Sequence, residues 1–240
     1  MVDWDQRYSR KTYVYGEAPS PVVDEAVAAG WLPPPPCRVL LLGEGEGRNA
    51  VALAARGYAC VALDPSAAGL AKCAALAVKR GVDVDRVRSA AGAALARGGL
   101  GLFDAVVSVY CAYASGDERR EAHALVARCL WPGGVYVYVG FGDNHDAVVA
   151  AAEAKGARRV AGCGGDRAAG PATVARELAG FETVAARERA EVLAEGAFHR
   201  GAASIAVYAG RLASTYAAAV ASAFDASYPA APGAAAGGDA

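Results

Sequence analysis

The chain has 240 residues, carries 24 Lys+Arg against 25 Asp+Glu for a formal charge of −1, and is 55% hydrophobic. That length suits one large domain or two small ones, and that apolar content builds a core without metals or disulfides. The balanced charge argues against nucleic acid as the main partner, and no run of 18 apolar residues is present to cross a membrane.

The opening MVDWDQRYSRKTYVYGEAP mixes charge with aromatics and has no apolar h-region, so it does not read as a signal peptide. PSPVVDEAVAAG then reads as a helix, with Ser20 as N-cap before Pro21. After the stiff connector Pro33–Pro36 the chain alternates. CRVLLLG (37–43) is a buried strand, GRNAVALAARG (47–57) a helix, and YACVALD (58–64) a second strand. SAAGLAKCAALAVKRG (66–81) has helical spacing at Leu70, Ala74, Ala77 and Val78. VDRVRSA (84–90) is a weak strand and FDAVVSVYCAY (103–113) a strong one. GDERREAHALVARCLWPGG (116–134) reads as an amphipathic helix closed by Pro-Gly-Gly, with His123 facing solvent. VYVYVGF (135–141) is a strand, 143–157 a helix, PATVARELAG (171–180) a short helix, and FHRGAASIAVYAGR (198–211) ends the ordered part. Strands alternating with helices predict an α/β fold built on a parallel sheet with right-handed crossovers. Residues 212–240 collapse to Ala, Ser, Pro, Gly and Tyr and read as a low-complexity tail.

The six cysteines, at 37, 60, 73, 111, 129 and 163, form no C-x-x-C pair, and His123, His145 and His199 are scattered. Reduced thiols in a cytoplasmic protein, with no metal site, are the expectation.

The sharpest feature is RVLLLGEGEGRNAVALAARGYACVALDPS. A strand runs into Gly43-Glu44-Gly45-Glu46-Gly47, a helix follows, and the next strand ends on Asp64. Glycines at a strand end let the backbone approach a ligand, and an acid about 20 positions on suits ribose hydroxyls. Gly45-Glu46-Gly47-Arg48-Asn49-Ala50 also satisfies the dinucleotide fingerprint G-x-G-x-x-G/A. Charge argues against that reading, since a pyrophosphate would face Glu44 and Glu46 with no lysine between them. The sulfonium and ammonium of S-adenosylmethionine suit these carboxylates, and Glu46 is also well placed at a helix N-terminus.

The ordered blocks WDQRY with YVYGEAPSPVV, GEGEGRNAVALAARGYACVALDPSAAGLAKCAALA, FDAVVSVYC, LWPGG and EGAFHRGAASIAVYAGR resemble the class I S-adenosylmethionine-dependent methyltransferases. They are most similar to the tellurite-resistance and thiopurine methyltransferase-like branch, over about residues 3–211. The resemblance implies a Rossmann-like, doubly wound, mostly parallel seven-stranded sheet with an antiparallel C-terminal strand and helices on both faces. It implies one domain over 1–211, with 1–18 as a lid segment, and 212–240 outside it. Carried over by position, Gly43, Glu44, Gly45, Gly47 and Asn49 meet the cofactor's methionine end, Asp64 its ribose, and Pro65, Ser89 and Ala90 its adenine. Tyr110 faces both cofactor and acceptor. Leu41 stands where many such enzymes carry an acid, which Glu44 would replace, and no Asp follows the third strand.

Displacement at a sulfonium methyl needs an aligned acceptor shielded from water, and a soft nucleophile needs no dedicated base. Trp4, Tyr13 and Tyr15 in the lid segment, with Cys111, Phe141 and Arg200, are the acceptor-side residues expected. Tyr110 and His199 are the catalytic candidates. The function expected is methyl transfer from S-adenosylmethionine to a small molecule such as a thiol or metalloid oxyanion. The rivals are an NAD(P)-dependent oxidoreductase and a non-catalytic S-adenosylmethionine-binding regulator.

Overall fold

The computed structural model describes residues 2–157, 160 and 165–218. Cys163 and the expected tail beyond 218 therefore lie outside the described residues. In chain order come α1 (Trp4–Tyr8), α2 (Pro21–Ala28), β1 (Arg38–Leu42), α3 (Arg48–Ala54), β2 (Ala59–Asp64), α4 (Ala67–Arg80) and β3 (Asp85–Arg88). There follow α5 (Ala91–Arg97), β4 (Phe103–Val109), α6 (Gly116–Val126), β5 (Leu130–Phe141), α7 (His145–Glu153), α8 (Pro171–Glu177), β6 (Phe181–Glu195) and β7 (His199–Leu212).

All seven strands form one sheet in the order β3-β2-β1-β4-β5-β7-β6. The first five are parallel, and β7 runs antiparallel to both β5 and β6. Strand β1 shows how both faces fill. Val39 and Leu41 join Val22, Val51 and Leu76 on one side, while Leu40 and Leu42 meet Leu95, Val126 and Leu178 on the other. The doubly wound sheet expected is present, and its connections diverge between β1 and β4, where such folds open their ligand crevice.

Several elements differ from the sequence reading, each for a local reason. Helices α1 and α5 were not expected. One is five residues long behind the Asp3 cap, and the other is an alanine-rich run with little amphipathic contrast. On α4 the buried face is Gly69, Leu70, Cys73, Leu76 and Ala77, while Val78 is 81% exposed. Gly69 and Cys73 set that face because only small residues fit beneath the loop at Gly45 and Gly47. The helix from 116 stops at Val126, and Trp131-Pro132-Gly133-Gly134 belongs to β5, where the pairing with β4 shifts register. Ser20 makes no side-chain cap; its N–H donates instead to Asn49 Oδ1 at 2.9 Å. At the C-terminal end Leu212 and Ala217 are buried and Tyr216 packs against the same core, so docking continues past 211.

His123 is not solvent-facing, as the helix pattern suggested. It is 1% exposed, and Arg119 on the same helix is 3% exposed. Both converge on Glu177 of α8, His123 Nδ1 at 2.7 Å and Arg119 Nη2 at 2.9 Å. Arg119 also donates to the carbonyls of Asp166 and Arg167 at 2.9 Å, which fixes the loop before α8. Burial raises the Glu177 carboxyl, but His123 and Arg119 outweigh it and hold the group at about 2. Burial pushes His123 below its ordinary value, against the pull of Glu177. The depressed Glu177 stabilises the fold above its ordinary range near 4.5, and that contribution is lost as pH falls through about 2. Glu177→Ala should destabilise the protein by roughly 3–5 kcal/mol at pH 7, because it leaves Arg119 buried and unpaired. Urea denaturation measures this, and a cost below 1 kcal/mol would show the triad to be dispensable.

Candidate functional site

The loop Gly43–Gly47 leaves β1 with φ of 63° at Gly43, 59° at Gly45 and 87° at Gly47. Two of these glycines serve packing rather than a ligand. A Cβ on Gly45 would stand 2.5 Å from the Tyr8 hydroxyl, and one on Gly47 would stand 2.4 Å from Cys73 Sγ. Neither lines the main cavity, whereas Gly43 does.

The two loop carboxylates have opposite duties. Glu44 accepts from the backbone N–H of Asn49 and of Ala50, both at 2.8 Å, and from Asn49 Nδ2 at 3.2 Å. It is thus the anion at the N-terminus of α3, the place expected for Glu46. Burial outweighs these hydrogen bonds and pushes the Glu44 carboxyl up to about 7. Glu46 turns the other way. It accepts from Val14 N at 2.6 Å and pairs with Lys72 Nζ at 2.6 Å. The charge argument from two lysine-free carboxylates is therefore corrected. Glu46 is neutralised by Lys72 from α4 and lies off the cavity, leaving Glu44 and Asp64 to set the sign there.

Asp64 is 4% exposed, and its carboxylate accepts from Gly45 N and Ser66 N, each at 2.8 Å. Each oxygen keeps a lone pair, and the residue lines the cavity beside Pro65, Ala90 and Ala91. Burial raises its pKa, and the two backbone N–H groups lower it. Ser89 is half-buried and off the cavity, and its N–H donates to Asp64 O at 3.1 Å. Asn49 borders the cavity, but its amide is engaged by Glu44 and Ser20.

Across the cavity the acceptor-side candidates divide. Trp4, Tyr15, Tyr110, Cys111, Phe141 and His199 all line it. Tyr13 does not; its hydroxyl donates to Lys72 O at 3.1 Å, and it holds the N-terminal segment to α4. Arg200 points away and donates to Gly196 O at 2.7 Å. Tyr110 is the described non-glycine residue with positive φ, 51°, which turns its ring towards Phe141 at 5.0 Å and His199 at 4.6 Å. His199 opens β7 opposite Glu195, the last residue of β6. Its Nδ1 lies 3.6 Å from Glu195 Oε2, which also pairs with Arg48 Nη2 at 2.6 Å. Burial lowers the His199 pKa below its ordinary value, so the ring is neutral at pH 7.

Tyr8, one of the lid aromatics with Trp4, Tyr13 and Tyr15, also lines the cavity, and lining residues absent from the sequence reading include Arg7, Arg48, Tyr113, Tyr138 and Arg167. The spacing of Trp4 and Tyr8, one helical turn apart, was a usable signal for α1; Arg167 carried none.

Residues 39–134 match the model of a methyltransferase domain. Among solved structures, one described as converting a disulfide bond into a thioacetal group during echinomycin biosynthesis aligns with a TM-score of 0.68 and 20% identity. That alignment covers 90% of this chain and 96% of the other. TehB from Haemophilus influenzae gives 0.63 and 16% identity, covering 87% of this chain and 65% of its own. The N-methyltransferase NodS from Bradyrhizobium japonicum WM9, solved with S-adenosyl-l-homocysteine, gives 0.56 and 16% identity, over 88% of this chain and 99% of its own. No curated protein matches the sequence. Residues 39–134 thus match a methyltransferase domain, and the fold of the chain is the one these solved structures share.

The elevated Glu44 pKa has a measurable consequence. A group whose pKa rises on folding contributes fully below its unfolded value near 4.5, and that contribution is lost as pH rises through about 7. Glu44→Gln should remove this slope and gain up to about 3 kcal/mol relative to the parent between pH 5 and pH 8. Chemical denaturation at the two pH values tests it; parallel pH dependence in both proteins would refute it.

Proposed function

We propose that the protein transfers the methyl group of S-adenosylmethionine to a small-molecule acceptor carrying a soft nucleophile such as a thiol. The observation that carries the cofactor choice is the Glu44 carboxylate on the first amides of α3. A pyrophosphate would have to displace it, since those amides are the donors a dinucleotide uses. The two cations beside the loop are already engaged, Lys72 by Glu46 and Arg48 by Glu195. The remaining donor set fits S-adenosylmethionine. Asp64 offers acceptor-only oxygens to two ribose hydroxyls, and Pro65, Ala90 and Ala91 offer an apolar slot for adenine. When bound, the cofactor supplies an electrophilic methyl on a cationic sulfur.

The chain's own residues hold the acceptor and move its proton. Tyr15, Tyr110 and Phe141 flank His199 and exclude water from it. Neutral His199 takes the acceptor's proton at Nε2, and Glu195, placed beside Nδ1, steadies the imidazolium so formed. With S-adenosylmethionine held by Asp64 and the Gly43 turn, the acceptor deprotonated by His199 would be the nucleophile for its methyl group. A thiol or comparable acid with a pKa near 8 needs only this modest base.

Calorimetry with S-adenosylhomocysteine should show saturable binding that Asp64→Ala weakens by at least about a hundredfold, the worth of two hydrogen bonds to a charged group at roughly 1.5 kcal/mol each. Fluorescence titration with NADH should show no saturation. His199→Ala should lower kcat by about 10²–10⁴ on thiol acceptors and leave S-adenosylhomocysteine affinity unchanged. Unimpaired binding in Asp64→Ala, or saturable NADH binding, would overturn the cofactor reading. An unchanged kcat in His199→Ala would remove the base.

A further inference from the structure

Three arginines line the cavity, Arg7, Arg48 and Arg167. Arg48 is engaged by Glu195 at 2.6 Å and by the carbonyl of Tyr15 at 3.2 Å. Arg7 is held differently. Its guanidinium carbon lies 4.9 Å from the Trp4 ring and 4.8 Å from the Phe198 ring, and Nη1 donates to the Tyr15 hydroxyl at a long 3.3 Å. No carboxylate among the described residues forms an ion pair with it. A guanidinium stacked on aromatic faces is fixed in plane yet keeps its edge N–H groups for a second partner. Such an edge matches a carboxylate or similar oxyanion in a bidentate way.

The surroundings point the same way. The carboxylates that line the cavity are already bonded to backbone amides: Glu44 to Asn49 and Ala50, Asp64 to Gly45 and Ser66, Glu118 to Ala114. Asp3 and Asp5, beside Arg7 in sequence, accept from Gln6 N and from Ser66 Oγ. Arg10 lies over the same Phe198 ring at 5.1 Å, so the rim there is doubly cationic and favours entry of anions. Tyr15 links Arg7 to the chemistry, since its ring stands 4.6 Å from His199. Arg7 therefore stands near His199, whose pKa its charge helps to lower.

We propose that Arg7 is a specificity-determining residue that selects acceptors bearing a carboxylate or comparable oxyanion apart from the methylated atom, an inference that rests on the methyl-transfer reading above. The same chemistry exists in the cofactor's own α-carboxylate, so the test separates the two sources. The full chain, saturated with S-adenosylhomocysteine, is titrated calorimetrically with 4-mercaptobenzoate and with 4-mercaptobenzamide. The acid should bind at least about tenfold more tightly than the amide, as a charge-assisted bidentate pair would give. Arg7→Ala should erase that preference while S-adenosylhomocysteine affinity stays within about twofold. Arg7→Gln, which retains a donor for Tyr15, should erase it too, and separates lost recognition from a displaced segment. Equal binding of acid and amide to the parent, binding of neither, or a preference that survives in both variants overturns the proposal. So does a loss in Arg7→Ala that falls on S-adenosylhomocysteine but spares 5′-methylthioadenosine, which would assign Arg7 to the cofactor. If S-adenosylhomocysteine fails to bind the parent protein, the methyl-transfer reading itself falls, and the proposal with it.

Discussion

A single buried carboxylate, that of Glu46, ties the N-terminal segment to the sheet. It is 4% exposed, bonds to Val14 N and pairs with Lys72, whose ammonium also donates to Thr12 O at 2.8 Å. These contacts fasten residues 12–15 over the glycine loop. Asp5 then fastens α1 to the start of α4 through Ser66 Oγ at 2.6 Å. Without those anchors, Trp4, Arg7, Tyr8 and Tyr15 would have no reason to face the strand ends. A buried carboxylate with a cation and an amide is well compensated, but losing either partner would leave a charge stranded in the loop that carries the ligand site. Cavity and segment are therefore one structure.

The cavity that results is lined by both signs. Asp64 and Glu44 stand at the glycine loop with Arg48 close to Glu44, and Arg7 stands near His199. That mixture lets one crevice meet a cation and an anion. It also explains why a net charge of −1 says so little by itself. The informative quantity is the local sign within one crevice, and Lys72 shows how a neighbour can change it.

Much of this was legible in the chain, and the failures have causes. The alternation of strands and helices, the glycine loop and Asp64 are short-range patterns, and they carry the fold and the loop side of the cavity. Glu44 and Glu46 were visible as carboxylates, but their partners were not, because Val14 and Lys72 reach Glu46 from 32 and 26 residues away. His123 was misplaced because it and Arg119 share the buried face with Ala122 and Val126, and Glu177, 54 residues on, makes that burial tolerable. Val78 was misplaced because alanine surrounds α4 and gives its apolar face no clear direction. Arg7 and Arg167 enter the cavity through tertiary docking, which no spacing encodes.

The antiparallel end of the sheet completes the argument. Strands β6 and β7 extend well beyond their neighbours' length, and the hairpin between them reaches back to the N-terminal segment. Ala197 N donates to Val14 O at 2.8 Å, and a Cβ on Gly196 would stand 2.4 Å from that carbonyl, so the tip fits only without a side chain. This contact carries His199 and Glu195 across the mouth of the crevice to meet Tyr110. Tyr110 in turn holds a left-handed conformation that costs a non-glycine residue about 1 kcal/mol or more. Its N–H donates to Val139 O at 2.8 Å, which pins the strained turn to β5. Strain at the end of β4, a glycine at the hairpin tip and a buried carboxylate in the loop converge on one point. Tyr15 joins them: its N–H donates to Glu46, its backbone leaves Gly196 no room for a Cβ, and its ring stands 4.6 Å from His199.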